Sequence, residues 1–308
     1  MSEAKSVFGP VPSRRLGLSL GISPLPKKTC NYACVYCQLG RTRRMTNQRQ
    51  EFLPLETMVA EFRHFLKSRV SFDVVTIVGE GEPTLYLKLG QLISVLQNLT
   101  DKPVAVITNG SLLAEEEVRS ALKRADLVLP SLDAYDEESF RKINRPLGKI
   151  KFKDVYEGLR SFSLNYQGQL WLEMMLVQGL NDDEESLEKL KGLLQGLNYQ
   201  RLYLNTPVRP PAESWVTQPA AVVVQKATQL LGGMAINSLS AGNFYSEVKD
   251  DYEAVLSIIR RHPMNQHELN GFLVSRECPD PESVLTKLEQ SKDVEVVSYK
   301  GYHIYRLV

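Results

Sequence analysis

Apolar, β-branched runs alternate along the chain with segments in which apolar residues recur every three or four positions. The runs lie at 18–22, 74–78, 104–107, 127–129, 170–177 and 201–205. Between them the spacing i, i+3, i+4, i+7 predicts amphipathic helices, for example through Leu55, Met58, Val59 and Phe62. Strands that alternate with helices predict parallel strands joined by right-handed crossovers. The pattern predicts an α/β fold and leaves two alternatives, a barrel or partial barrel and a doubly wound open sheet.

The pattern changes after about residue 247. Short helices are predicted at 251–261, 265–273 and 280–290, and the strands of a β-hairpin at 294–299 and 302–307. Three short helices followed by a hairpin are typical of a winged-helix module. We therefore predict two domains, an α/β domain over residues 1–246 and a small winged-helix-like domain over residues 247–308.

Composition excludes several classes of protein. Hydrophobic residues make up 43% of the chain and charged residues 24%, which excludes a wholly disordered chain, a collagen-like chain and a coiled-coil rod. No apolar run approaches the ~18 residues of a membrane-spanning helix, and the first eight residues lack the apolar core of a secretory signal. We therefore expect a cytoplasmic protein with no membrane partner, in which the four cysteines are reduced thiols.

The charge is distributed unevenly, although the formal net charge is only +1. Residues 1–50 hold nine Lys or Arg against one acid, a net charge of +8, whereas residues 248–308 have a net charge of −2. A basic segment can attract an anionic substrate through its field, and a solvated basic surface without a partner is the alternative. The acidic C-terminal segment is a poor match for duplex phosphates, so we expect no duplex DNA partner.

Three of the cysteines lie close together, directly after the first predicted strand. Cys30, Cys34 and Cys37 have the spacing C-x3-C-x2-C, and clustered thiolates favour zinc or iron–sulfur. A structural zinc site takes four ligands, whereas three cysteines on a [4Fe–4S] cluster leave one iron open for a substrate or cofactor. The alternatives are a zinc site completed by a distant ligand and buried cysteines without a metal. Cys278, in the predicted second domain, is expected to be a structural thiol.

A second motif follows the second predicted strand. Its sequence is Gly79-Glu80-Gly81-Glu82-Pro83, and a helical pattern begins soon after it. Glycine lets a backbone approach a ligand closely, and the Glu82 carboxylate can accept hydrogen bonds from an ammonium group. A plain strand–helix turn is the alternative.

Together, these two motifs resemble those of the radical S-adenosylmethionine (SAM) superfamily, in which an aromatic residue, here Tyr36, precedes the last cysteine. Glu80 stands where the Gly-Gly-Glu motif of that family has its first glycine, and Glu82 keeps the glutamate. The segment at 9–17 resembles an uncharacterised branch of the superfamily, which is distantly similar to the radical enzymes that build the wyosine base of tRNA. The resemblance spans roughly residues 8–245 and implies a partial (β/α)6 barrel.

The resemblance also implies cofactors and chemistry. A [4Fe–4S] cluster on Cys30, Cys34 and Cys37 would take one electron from a flavodoxin- or ferredoxin-type donor and cleave SAM. The resulting 5′-deoxyadenosyl radical would abstract a hydrogen from the substrate, which makes the protein an oxidoreductase. The expected SAM contacts are Glu82 beside Gly81 for the ammonium, Tyr36 for adenine, Asn109 and Glu173 for ribose, and Ser131 or Asp133 for the methionine end.

The substrate is open among three hypotheses. The first is tRNA, favoured by the basic segment at 1–50 and by the wyosine resemblance. The second is a small anionic metabolite or a peptide. The third is an iron–sulfur, redox-sensing winged-helix protein instead of an enzyme. The candidate substrate-binding side chains are Arg14, Arg15, Lys27, Lys28 and Arg209. No residue that would act chemically on the substrate is identified by these motifs.

Overall fold

The computed structural model describes residues 5–236 and 244–308. The strands in this part are β1 (Val7–Ser13), β2 (Gly17–Ile22), β3 (Thr29–Cys30), β4 (Arg44–Met45), β5 (Val74–Ile77), β6 (Val104–Thr108), β7 (Leu127–Pro130), β8 (Gln169–Met175), β9 (Arg201–Asn205), β10 (Met234–Ala235), β11 (Met264–Asn265), β12 (Val294–Tyr299) and β13 (Tyr302–Leu307). The α-helices are α1 (Leu55–Leu66), α2 (Leu89–Leu99), α3 (Glu116–Leu122), α4 (Glu137–Ile143), α5 (Phe152–Asn165), α6 (Glu184–Leu194), α7 (Ala221–Leu231), α8 (Asp251–Ile259), α9 (Gln266–Ser275) and α10 (Pro281–Gln290). A 3-10 turn lies at Pro83–Leu85.

Among the described residues, the main sheet has eight strands in the order β1-β2-β5-β6-β7-β8-β9-β10. The strands from β2 to β10 are parallel, and β1 is antiparallel to β2. The six predicted strands are β2 and β5 to β9, and they lie side by side in this sheet. The edge strands β1 and β10 do not pair with each other in the described part, so the α/β sheet is a partial barrel.

Burial of apolar side chains stabilises the main sheet and the helices that pack on it. Every residue of β5 and β7 is buried, as expected for parallel strands that are covered on both faces. The predicted amphipathic helix is α1, which buries Met58, Phe62 and Phe65. Full burial of each such side chain contributes about 1.5–3 kcal/mol to folding. No described helix is both long and apolar enough to cross a bilayer.

The N-terminal strand β1 was not among the predicted strands. Its sequence contains Gly9, Pro10 and Pro12, residues that weaken a strand prediction. Over residues 5–236 and 244–308, β2 is the one strand that pairs with β1, so each proline removes a donor at an edge where the described residues place no second strand. The predicted strand at 170–177 ends two residues early, at Met175, and its next amide, that of Leu176, donates to the Asn205 carbonyl at the end of β9.

The elements from α8 to β13, here called the C-terminal unit, have a core of their own. Three helices pack on a three-stranded antiparallel sheet in the order β11-β13-β12. The buried residues of this core include Ile258, Leu269, Phe272 and Leu288. The predicted helices and hairpin are present with bounds shifted by no more than two residues, and the short strand β11 was not predicted.

The C-terminal unit is anchored on the main sheet by polar contacts. The Lys27 ammonium donates to the carbonyl of Leu307 at 3.2 Å. The Tyr299 hydroxyl donates to the carbonyl of Pro207 at 2.8 Å. The Lys27 contact places the C-terminal unit beside the chain segment that leads into the three clustered cysteines, and the Tyr299 contact places it beside the loop that follows β9.

Candidate functional site

The segment at residues 29–37, which carries the three clustered cysteines and is here called the cysteine loop, is in direct backbone contact with the Gly-Glu-Pro turn at residues 81–83. Thr29, in β3, forms a parallel bridge with Gly81, and its carbonyl accepts the Glu82 amide at 3.1 Å. A Cβ atom on Gly81 would lie 1.5 Å from the Thr29 carbonyl oxygen. Glycine is therefore required here by the approach of two backbone segments, which brings Cys30 next to the turn that carries Glu82.

The three clustered cysteines have thiols that are hard to ionise without a nearby cation. Burial and the Glu82 carboxylate raise the pKa of Cys30 to about 12. Burial, together with Cys30 and Asp133, raises the pKa of Cys34 well above its ordinary value. Burial also raises the pKa of Cys37. Bound iron supplies the positive charge that such buried thiolates need.

Amide donors point at two of these sulfurs. The Tyr32 backbone amide lies 3.4 Å from Cys30 Sγ, and the Asn109 side-chain amide lies 3.7 Å from the same atom. The Asn144 side-chain amide lies 3.7 Å from Cys34 Sγ. Donors of this kind orient metal ligands and tune the reduction potential of an iron–sulfur cluster.

This donor set fits a [4Fe–4S] cluster held by three cysteines. The sulfurs belong to three partly buried cysteines, of which Cys30 and Cys34 receive N–H donors, and they are the soft ligands that iron–sulfur clusters take. Over residues 5–236 and 244–308, no three His, Cys, Asp or Glu side chains are gathered as ligands of a single metal ion. Cysteines of a cluster bind different irons and do not have to converge on one point.

Glu82 is buried and fixed at the start of the 3-10 turn. Its Oε1 accepts hydrogen bonds from the Thr84 amide at 3.0 Å and from the hydroxyls of Thr84 and Thr108, each at 2.6 Å. Its Oε2 accepts one bond, from the Asn109 amide at 2.7 Å. Burial raises the pKa of Glu82. A carboxylate oxygen has two lone pairs, so Oε2 keeps the capacity to accept a bond from an ammonium group.

Asp133, after β7, is a second buried carboxylate. It accepts hydrogen bonds from the Tyr36 hydroxyl at 2.5 Å, from the Asn144 amide at 2.8 Å and from the Met175 backbone amide at 2.8 Å. Burial raises its pKa. Asp133 thereby ties Tyr36, in the cysteine loop, to β7 and β8. Ser131, two residues before Asp133, forms a parallel backbone bridge with Glu173.

Glu173, in β8, connects this strand to β9 and to the turn between β1 and β2. Its Oε1 accepts a hydrogen bond from the Asn205 side-chain amide at 3.0 Å, and its carboxylate forms an ion pair with Arg15. Glu173 was predicted to bind ribose and Arg15 to bind substrate. The structure brings the two side chains together, Glu173 from a position two residues before the carboxyl end of β8 and Arg15 from the turn that precedes β2. Ligands of parallel α/β sheets bind at the carboxyl ends of the strands, so the Arg15 backbone lies at the opposite end and only its side chain extends toward Glu173.

The other candidate substrate residues lie toward the C-terminal unit. Lys27 donates to the Leu307 and Val308 carbonyls, and burial lowers its pKa to about 8. Arg209 donates to the Pro263 carbonyl at 2.6 Å and lies 3.6 Å from Glu268.

Arg14 and Lys28 complete this set of candidates. Arg14 also has an interaction partner in the structure. The Lys28 amide donates to the Glu80 carbonyl at 2.6 Å, and burial lowers the pKa of its side chain.

Sequence reasoning did not find Asn144, which donates to both Cys34 and Asp133. Asn144 ends α4 as its C-terminal cap and lies 110 residues from Cys34 along the chain. No motif includes it, and asparagine at a helix end is common for local reasons. Only the folded arrangement shows this contact.

Comparisons with known proteins agree with this geometry. The family model for the radical SAM superfamily matches residues 26–190. A UPF0026 protein of Methanocaldococcus jannaschii is 38% identical over 274 residues, which cover 86% of this chain and 85% of that protein. 

Solved structures show the same fold at lower identity. The structure of TYW1 with a lysine-pyruvate adduct bound has a TM-score of 0.52 at 18% identity and covers 70% of this chain and 74% of that chain. Streptococcus suis SuiB bound to S-adenosylmethionine has a TM-score of 0.54 at 15% identity and covers 70% of this chain and 47% of that chain. The chain belongs to the radical SAM superfamily, whose enzymes use a [4Fe–4S] cluster and SAM.

Proposed function

We propose that this radical SAM enzyme acts on tRNA. The observation that carries the proposal is a group of cationic side chains beside the cysteine loop, here called the basic patch. Its members are Lys28, Arg41, Arg43, Arg44 and Arg306. Phosphate neutralisation by such side chains supplies most of the affinity of a protein for nucleic acid.

The members of the basic patch are linked by backbone hydrogen bonds and lie close enough for their like charges to repel one another. The amides of Arg43 and Arg44 donate to the Lys28 carbonyl at 3.1 and 3.0 Å. After burial, the charges of Arg43 and Arg306 contribute most to lowering the pKa of Lys28. Arg41 is 76% exposed, although it pairs with Glu213. The positive charges of this patch also act on Cys37. Burial raises the pKa of Cys37, and the charges of Lys28 and Arg306 offset part of that rise.

Each part of the site has a proposed role in the reaction. Cys30, Cys34 and Cys37 hold the cluster, and Glu82 binds the SAM ammonium through Oε2. When bound, the cluster and SAM supply the radical that removes a hydrogen from the substrate. Asn109, Ser131, Asp133 and Glu173 line the SAM site, and Asp133 orients Tyr36 toward it. Arg15 is proposed to contact the substrate beside Glu173.

The C-terminal unit is proposed to be a winged-helix-like domain that begins after residue 246. Its order of elements, α8-β11-α9-α10-β12-β13, is the order of that module. Its net charge over residues 248–308 is −2, and it lies against the main sheet through Arg209 and Lys27. We propose that it covers the cofactor side of the enzyme and contributes to docking of the substrate or of a flavodoxin- or ferredoxin-type donor.

The proposed hydrogen abstraction can be tested directly. Reconstituted enzyme is incubated anaerobically with SAM, a reductant and tRNA isolated from cells grown in deuterated medium. Deuterium is expected in the 5′-deoxyadenosine that forms, and mass spectrometry measures it. Formation of 5′-deoxyadenosine without deuterium, at a rate that tRNA does not change, would contradict tRNA as the substrate and favour a small anion or a peptide.

Reversing two charges of the basic patch is expected to weaken tRNA binding. The double variant Arg43→Glu and Arg44→Glu should raise the dissociation constant by about 10- to 100-fold at 0.1 M salt, because both phosphate contacts and released counterions are lost. Fluorescence anisotropy with labelled tRNA measures the affinity, and the slope of log affinity against log salt should become shallower.

The matched control reverses two exposed lysines that do not belong to the basic patch. Lys123→Glu with Lys226→Glu makes the same change in net charge at the end of α3 and in α7. This variant should bind tRNA within about threefold of the unmodified protein, since it leaves every proposed phosphate contact of the basic patch in place. Equal weakening by both double variants, or by neither, would contradict a role for the basic patch. Equal affinity for duplex DNA would favour the DNA-binding sensor.

A further inference from the structure

A buried ion pair joins the C-terminal unit to the turn that carries Glu82. Arg261 Nη2 lies 3.3 Å from Glu80 Oε2, and the two side chains are only 9% and 5% exposed. Arg261 follows α8, whereas Glu80 lies two residues before Glu82. Removing one member of such a pair leaves an uncompensated buried charge, so the two segments are strongly coupled.

Arg261 is held in place from several sides. Its guanidinium carbon lies 4.4 Å from the centroid of the Phe8 ring in β1, and its Nη2 donates to the Lys5 carbonyl at 2.8 Å. The Phe8 ring lies over Gly21, where a Cβ atom would be 2.2 Å from the ring. The ring, the Lys5 carbonyl and the Glu80 carboxylate contact the guanidinium from three directions, so the Glu80 carboxylate lies against a cation that two other groups also hold.

Glu80 in turn is tied to both neighbours of the cofactor site. Its amide donates to the Ser23 hydroxyl at 3.2 Å, and its carbonyl accepts the Lys28 amide at 2.6 Å, two residues before Cys30. The next residue, Gly81, is in backbone contact with Thr29. Any displacement of Glu80 therefore moves the Glu82 turn relative to the cysteine loop.

We propose that Glu80 and Arg261 are positioning residues for SAM. The ion pair fixes the turn at residues 79–82 so that the free side of the Glu82 carboxylate faces the ammonium group of SAM. The C-terminal unit is then part of the SAM site, and Glu80 occupies the position of a motif glycine because a glycine could not reach Arg261. This proposal rests on the proposed role of Glu82 and is independent of the substrate.

The first test is Glu80→Gln, which keeps the shape of the side chain and removes its charge. We expect the variant to hold the same iron content per chain and to bind SAM at least about tenfold more weakly, since small misplacements of binding groups have effects of this size. The SAM affinity is read from the change that SAM causes in the electron paramagnetic resonance spectrum of the reduced cluster. Unchanged SAM affinity in this variant would overturn the proposal.

A second variant separates positioning from the cost of an unpaired charge. Glu80→Gln combined with Arg261→Met removes both charges, so that no buried charge is left alone, and it should restore the melting temperature. If the pair positions the turn, SAM binding stays at least about tenfold weak in this double variant. Recovery of SAM affinity together with stability would show a merely structural role and overturn the proposal, and this holds even if the single variant fails to fold.

Two controls complete the experiment. Glu247→Gln removes another acid that pairs with an N-terminal residue, Lys5 at 3.9 Å, and does not touch the turn, so SAM affinity should stay within about twofold. Glu82→Gln tests the premise and should weaken SAM binding with iron content retained. Normal SAM binding in Glu82→Gln would refute the role of Glu82. Weak binding there with normal binding in Glu80→Gln would refute the positioning role alone.

Discussion

Replacement of Cys34 by Ser is expected to abolish cluster binding and the reductive cleavage of SAM. Cys34 has the central position of the motif, its sulfur is buried, and it receives the Asn144 amide at 3.7 Å. A hydroxyl is a hard, weakly acidic ligand in a pocket that already disfavours the anion. Mutation of a residue that only hydrogen-bonds to a metal ligand typically lowers activity by about 10- to 100-fold. Because Cys34→Ser removes a ligand itself, activity should fall by more than about 100-fold.

The measurement follows reconstitution with iron and sulfide in the absence of oxygen. Iron and sulfide per chain, the visible absorption of the cluster and the yield of 5′-deoxyadenosine should all fall to background in Cys34→Ser. Near-ultraviolet circular dichroism of the protein before reconstitution checks that the fold is retained. A variant with full iron content and full cleavage would contradict the assignment of the cysteine loop as the cluster site.

The fourth cysteine provides the matched control. Cys278 is partly buried against the core of the C-terminal unit, and burial, together with a hydrogen bond to the Asp251 carboxylate, raises the pKa of the thiol. Cys278→Ser makes the same chemical change away from the cysteine loop, so it should leave iron content and SAM cleavage within about twofold, as expected of a surface or half-buried substitution. Loss of the cluster in both variants would point to a general effect of removing thiols.

Local patterns were sufficient for the strand–helix alternation and for the cysteine and Gly-Glu-Pro motifs. The spacing of apolar residues indicates which positions are buried. A strand that is buried on both faces is a continuous apolar run, so it can be recognised without knowing which strands it pairs with. The N-terminal strand β1 escaped because its prolines and glycine oppose a strand locally, while pairing with β2 stabilises it. Its identity as a strand depends on a neighbour that the local sequence does not reveal.

Contacts between segments that are far apart along the chain could not be predicted from local sequence patterns. Asn144 reaches Cys34 across 110 positions, and Arg261 reaches Glu80 through the docking of the C-terminal unit. Each contact depends on how the helices pack on the main sheet and how the C-terminal unit packs against it. A single asparagine or arginine produces no pattern in the local sequence that would indicate such a contact. The Glu80 departure from the family motif was visible in the sequence, but its partner became identifiable only with Arg261 beside it.

The role of Gly81 illustrates the same difference and leads to the second large effect. From the sequence, this glycine was expected to admit a ligand. In the structure, Gly81 lies against the Thr29 carbonyl, 1.5 Å from where its Cβ would be. Gly81→Ala must therefore push apart the cysteine loop and the Glu82 turn. Adding a methyl group to a packed region typically lowers the free energy of unfolding by about 1–3 kcal/mol. Backbone atoms cannot move aside as a side chain can, so a loss of about 3 kcal/mol is expected here.

Urea unfolding of the protein without cluster, followed by tryptophan fluorescence, measures this change. The matched control is Gly192→Ala in the exposed part of α6, where nothing lies within 4 Å of the added methyl group. That change should raise the free energy of unfolding by about 0.5–1 kcal/mol, because alanine favours the helix over glycine. Gly81→Ala should also weaken SAM binding through Glu82, whereas Gly192→Ala should not. If Gly81→Ala were as stable as the unmodified protein, the close contact between Thr29 and Gly81 would be wrong, and with it the coupling of the cysteine loop to the SAM turn.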